Sequence, residues 1–80
     1  EVNEDISLHN IPTDTIHRMI RDLPTGYRTV FSLYVIESLD HKEIAETLGI
    51  SISTSASQYH RAKKMLAQMI SEYNLQSKCL

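Results

Sequence analysis

The sequence predicts an all-α domain of four helices, the last two forming a helix-turn-helix. Three observations carry that expectation. From Ile16 onward, apolar residues recur at helical spacing. Pro12, Pro24 and Gly49 fall between the periodic segments. No stretch shows the sustained apolar–polar alternation of a half-buried strand.

Residues 1–10 lack a period and are expected to be a flexible N-terminal tail. The domain proper is expected at 11–73, with a C-terminal tail at 74–80. The first helix has Pro12 and Thr13 at its start and Asp14 in its first turn. Ile16, Met19, Ile20 and Leu23 follow the i, i+3, i+4, i+7 rule, and Pro24 ends the helix. Pro24 also suits the entry to a second helix, where its missing N–H is not needed. Tyr27, Val30, Phe31 and Tyr34 make the stripe of that helix. Leu33, Val35 and Ile36 widen it, so "TGYRTVFSLYVIESL" is expected to be helical and buried on most sides. Its Val and Ile tolerate a strand, but length and spacing favour the helix.

Asp40 caps the third helix, and Glu43 three residues on completes a capping box. Ile44, Ala45 and Leu48 are expected to face inward. Gly49 stands where a helix ends in the left-handed region, and Ile50 is a candidate anchor for the turn. Ser51 or Ser53 caps the fourth helix, which is expected to run to about Tyr73. At about 100° per residue, Ser55, Tyr59, Ala62, Leu66, Met69 and Tyr73 share its inner stripe. Ser55 alone among them is not a natural core residue. Ser53, Ser57, His60, Arg61, Lys64 and Gln68 take the opposite side, with Thr54 beside them. Ala56, Gln58 and Lys63 lie on the flanks.

Eighty residues make one small domain. Hydrophobic residues at 41% and charged residues at 22% are ordinary for a soluble globular protein. No apolar run approaches the roughly 20 residues that span a bilayer, so no membrane partner is expected. A single cysteine, Cys79, cannot form an internal disulfide, which points to a reducing, cytoplasmic setting. The net charge of −2 argues against an indiscriminate nucleic-acid binder. Its distribution is uneven. Residues 1–23 carry Glu1, Glu4, Asp5, Asp14 and Asp22 against Arg18 and Arg21, whereas residues 41–66 carry Lys42, Arg61, Lys63 and Lys64 against Glu43 and Glu46.

The outward side of the fourth helix is small and hydroxyl-rich at its start and cationic farther on. A helix entering the DNA major groove needs both properties. Short side chains let its backbone approach, and Ser, Thr or Gln can read base edges or hold phosphates. Arg and Lys a turn or two later reach the flanking backbone. Serines at a helix start are commonly caps, and "RAKK" is commonly a solvated face. The order and lengths of helix, glycine turn and helix in "EIAETLGIS" tip the balance toward a DNA-binding helix-turn-helix. No nucleophile–base arrangement, paired buried carboxylates or phosphate-cradling loop is present, so no enzyme activity or cofactor is expected. His9, His17, His41, His60 and Cys79 match no ligand spacing, and no metal is expected. His41 is expected to be a surface residue at a helix start. The aromatic residues Tyr27, Phe31, Tyr34 and Tyr59 are expected in the core.

The stretch "LPTGYRTVFSLYVIESLDHKEIAETLGIS", followed by "TSASQYHRAKKML", resembles region 4 of bacterial sigma factors of the extracytoplasmic-function type. The resemblance runs from Leu23 to Leu66 and is carried by "LP", "EIAETLGIS" and "RAKKML" at matching separations. It implies a domain that recognises the −35 promoter element through its last helix, contacts the β flap of RNA polymerase, and is held in many members by an anti-sigma factor. By position it places Thr54, Ser57, Gln58, His60 and Arg61 at or near DNA. Lys42, just before "EIA", would touch phosphate, and Lys63 and Lys64 stand where the family carries basic residues. Ser53 takes a position where the family often has glycine. Ser55 replaces a Val-like residue, and Ala56 and Gln58 stand where Lys or Arg is common. Each missing cation lowers the expected affinity and flattens its salt dependence by about one unit. Two other readings use the same fold: the output domain of a different helix-turn-helix regulator, such as a response regulator, and a module whose helix-turn-helix face binds protein.

Overall fold

The structure, a computed structural model, describes residues 11–78, with side chains through residue 75. Among these residues there are four helices and no strand: α1 (Thr13–Arg21), α2 (Thr25–Val35), α3 (His41–Leu48) and α4 (Ile52–Lys78). The all-α class and the helix-turn-helix over α3 and α4 agree with the sequence. α4 is the shaft of the molecule, and each of the other three helices packs against it.

The helix starts follow local chemistry. Pro12 and Pro24 precede α1 and α2 in extended conformation. Their carbonyls accept the first helical bonds, from Ile16 N–H at 3.1 Å and Arg28 N–H at 2.8 Å. Asp40 Oδ1 accepts from Glu43 N–H at 2.8 Å, and Glu43 Oε1 accepts from Asp40 N–H at 2.9 Å, so the capping box of α3 is complete. Gly49 ends α3 at φ 71°, ψ 34°. There Ala45 C=O accepts from Gly49 N–H at 2.8 Å and Ile50 N–H at 3.0 Å. Ser51, the earlier of the two candidate caps, accepts from Thr54 N–H at 3.0 Å.

The main core joins α1, α2 and the distal part of α4. Ile11, Met19, Leu23, Ala62, Leu66 and Ile70 are buried together, with Ile16, Tyr27, Phe31, Met69 and Tyr73 packed against them. Val30 on α2, Ile44 on α3 and Ser55 on α4 are the most completely buried large side chains. Ile70 joins the inner stripe of α4 although the spacing argument left it out.

Four expectations are corrected. α2 stops at Val35, and Val35 and Ile36 are 49% and 59% exposed. α2 packs against α4 and α3, and past its end the chain turns through Ser38 at φ 63°. Leu48 is 38% exposed rather than inward. It is the last residue of a short helix whose inner positions are taken by Ile44 and Ala45. The fourth helix, expected to end at about Tyr73, runs on to Lys78. No Gly or Pro follows Gly49, so nothing local stops the helix at Tyr73. His41 is half-buried rather than a surface residue, because a ring from α2 stacks on it. The N-terminal tail expected at residues 1–10, with His9 in it, lies outside the described residues, as do residues 79–80 and with them Cys79.

Candidate nucleic-acid interface

The hydroxyl-rich start of α4 divides into three kinds of residue. Ser51 is the cap. Besides accepting from Thr54 N–H, its hydroxyl donates to Thr54 Oγ1 at 2.8 Å and lies 3.3 Å from Ser53 Oγ. Ser55 is fully buried and is the only buried polar residue among those described. Ser53 and Ser57 are exposed. Of the four serines from 51 to 57, two are therefore left facing outward.

The outward side holds together as a surface. Ser53, Ser57, His60, Arg61, Lys64 and Gln68 are all exposed, one turn after another along α4. Lys42, exposed in the first turn of α3, adds a cation from the supporting helix. Thr54 is half-buried and tied to the cap, although its hydroxyl, accepting from Ser51, keeps its proton for an outside partner.

Two expected contact residues are drawn aside. Gln58 is half-buried and turns toward α2, where a Cβ on Gly26 would stand 3.3 Å from its Oε1. That oxygen is buried without a hydrogen-bond partner. The absence of a side chain at Gly26 lets the amide settle there, away from the face that carries Ser57 and Arg61. Lys63 is exposed at its flank position, and its Nζ lies 5.2 Å from the centre of the Tyr59 ring. A cation over an aromatic face gains about 0.5–1 kcal/mol at an exposed site, so Lys63 is partly held by its own helix.

Behind this surface lies a cluster the sequence reading did not assemble. His41 Nδ1 and Ser55 Oγ hydrogen-bond at 2.8 Å. The His41 ring stacks on Tyr34, with centroids 4.7 Å apart and planes at 20°. Tyr59 lies 4.3 Å from Tyr34 and 5.6 Å from His41. The Tyr59 hydroxyl is pushed above the usual tyrosine range by burial and, secondarily, by the nearby Tyr34 hydroxyl. A sequence signal for His41 did exist. A serine on an apolar stripe needs a hydrogen-bond partner, and the start of the supporting helix offers His41 and Lys42 once Asp40 and Glu43 are engaged in the capping box.

No helix among the described residues is long and apolar enough to cross a membrane. Among them, no three His, Cys, Asp or Glu side chains come together as a metal site would require. The geometry is that of a cationic, hydroxyl-bearing helix face on the second helix of a helix-turn-helix.

The family described as Sigma-70, region 4 matches residues 13–66, which is α1 through the middle of α4. The chain is also similar to the ECF RNA polymerase sigma factor SigW of Bacillus subtilis (strain 168), at 36% identity over 58 residues. That similarity covers 72% of this chain and 31% of SigW, so the chain spans about a third of the length of the curated relative it matches.

Proposed function

The chain belongs to the Sigma-70, region 4 family, and from that premise we propose that it binds the −35 element of a promoter through α4 and so helps direct RNA polymerase to initiate transcription. One observation carries the reading: Ser53, Ser57, His60, Arg61 and Lys64 are exposed along one side of α4, while Ser55, Ala62 and Leu66 on the other side are buried. The face that would read DNA is thus presented by the same packing that makes the core.

The roles divide by chemistry. Ser53, Thr54 and Ser57 lie at the N-terminal end, where a recognition helix contacts base edges. His60, Arg61 and Lys64 lie one to three turns on and meet phosphates, as Lys42 does from α3. Lys63 serves the backbone from the flank. Gln58 reaches DNA only if its amide leaves Gly26. The domain acts by binding rather than catalysis, in the cytoplasm. The β flap of RNA polymerase and an anti-sigma factor are its protein partners in this reading.

Fluorescence anisotropy of the chain on promoter-like and scrambled duplexes, across a salt series, tests the proposal. Preference for one promoter-like duplex is expected, with affinity falling as salt rises and a log–log slope near −0.9 for each phosphate neutralised. Equal affinity for every duplex, or binding indifferent to salt, would remove promoter recognition.

A further inference from the structure

We propose that the His41–Ser55 hydrogen bond fixes the rotation of α4 about its axis, making both positioning residues for the DNA-reading face; this rests on promoter recognition by α4.

Ser55 is the first wholly buried residue of α4, since Ile52 is 54% exposed, Ser53 is exposed and Thr54 half-buried. Its contact with the supporting helix therefore sets how the first turn of α4 is seated. An apolar side chain there, such as the Val-like residue that the family resemblance implies, is held by contacts without direction. A hydrogen bond is directional and weakens steeply off line.

The other end of the bond is itself held. His41 is the first residue of α3, directly after the N-cap Asp40 and inside the capping box that Asp40 closes with Glu43. Its ring is stacked on Tyr34 of α2, and Tyr59 of α4 stands beside it. The pair thus ties α4 to a point that α2 and α3 have already fixed. Ser53 and Ser57 lie two residues to either side of Ser55, about 200° around the helix. Any rotation about Ser55 moves both outward side chains. Recognition requires placement within about 0.5 Å or 10–20°.

Ser55 is 0% exposed and cannot touch DNA in this fold. Any effect of its hydroxyl on DNA preference must act through the placement of α4. That property makes the test specific. Ser55→Thr and Ser55→Val have nearly the same volume and differ by the hydroxyl. The preference of each full chain for its best promoter-like duplex over a scrambled one is measured by anisotropy at fixed salt, with thermal melting alongside. Ser55→Val is expected to lose about fivefold in that ratio against Ser55→Thr, the scale of one hydrogen bond. Affinity for the scrambled duplex stays equal, because every outward cation is unchanged. In a His41→Phe background, which keeps a ring on Tyr34, the Thr and Val chains become equal. If the added volume unfolds both chains, His41→Phe alone is expected to lose about fivefold against wild type. A preference that the Thr and Val chains share, or a difference that persists in His41→Phe, overturns the inference while leaving promoter recognition standing. A wild-type chain with no duplex preference removes both.

Discussion

Gln58 Oε1 lies against Gly26: a Cβ at Gly26 would stand 3.3 Å from it, in a spot where the oxygen has no hydrogen-bond partner. The amide is at the end of a flexible side chain and loses no bond by moving. Gly26→Ala should therefore gain helix propensity in α2 while the amide swings toward solvent. An increase in stability of about 0.5 kcal/mol is expected, read as a higher midpoint in urea unfolding. A lower midpoint would mean that the amide is held there by something stronger than vacancy.

The outward cations should differ from Gln58 in their salt signature. Arg61→Ala and Lys64→Ala should each weaken binding to a promoter-like duplex and reduce the log–log salt slope by about one unit. Their exposure predicts no loss of thermal stability. Gln58→Ala should leave the slope where it is, since the amide is uncharged and faces α2. Anisotropy on one duplex at several salt concentrations separates the three variants. A slope unchanged by Arg61→Ala would take that residue off the phosphate backbone.

Burial of the two apolar residues in α3 decides their weight. Ile44 is 0% exposed, so Ile44→Ala should cost about 2–5 kcal/mol. Leu48 is 38% exposed, and Leu48→Ala should cost on the order of 1 kcal/mol, because much of its surface already meets water. Chemical denaturation of the two variants side by side gives the comparison. Equal losses would contradict the way α3 is seated on α4.

Ser38 holds φ 63° between α2 and α3, a conformation that costs a residue with a Cβ about 1 kcal/mol. Ser38→Gly relieves that strain but makes the unfolded chain more flexible. A net stabilisation of about 0.5 kcal/mol is expected, and a Tm that falls instead would place the entropy term above the strain.

Tyr59 gives the alkaline limb of stability. Its hydroxyl ionises above the usual tyrosine value in the folded chain, because burial and then Tyr34 disfavour the charged form. The unfolded chain ionises it near the ordinary value of about 10. Its contribution is therefore fully present below pH about 10 and is lost as pH rises through the folded value. Urea midpoints recorded from pH 8 to 11 should fall, and fall less in Tyr59→Phe. Parallel curves for the two chains would rule out Tyr59 as the source.

The sequence by itself determined where α3 begins and ends, which side of α4 is bare, and that α1 to α4 are helices. Those features depend on neighbours in the chain. Asp40 and Glu43 bond across three residues, Gly49 takes a backbone angle other residues avoid, and a repeat of 3.6 separates Arg61 from Leu66. Only the tertiary structure decided the fate of residues at the edges of a stripe. Leu48, Val35 and Ile36 are as apolar as their buried neighbours, but they stand at the ends of α3 and α2 and are exposed. Gln58 turns from its flank toward α2 because α2 has a glycine there, and Ser55 is satisfied because His41 arrives from fourteen residues earlier. Periodicity assigns a residue an angle about its own helix. Whether anything stands at that angle depends on where the other helices lie.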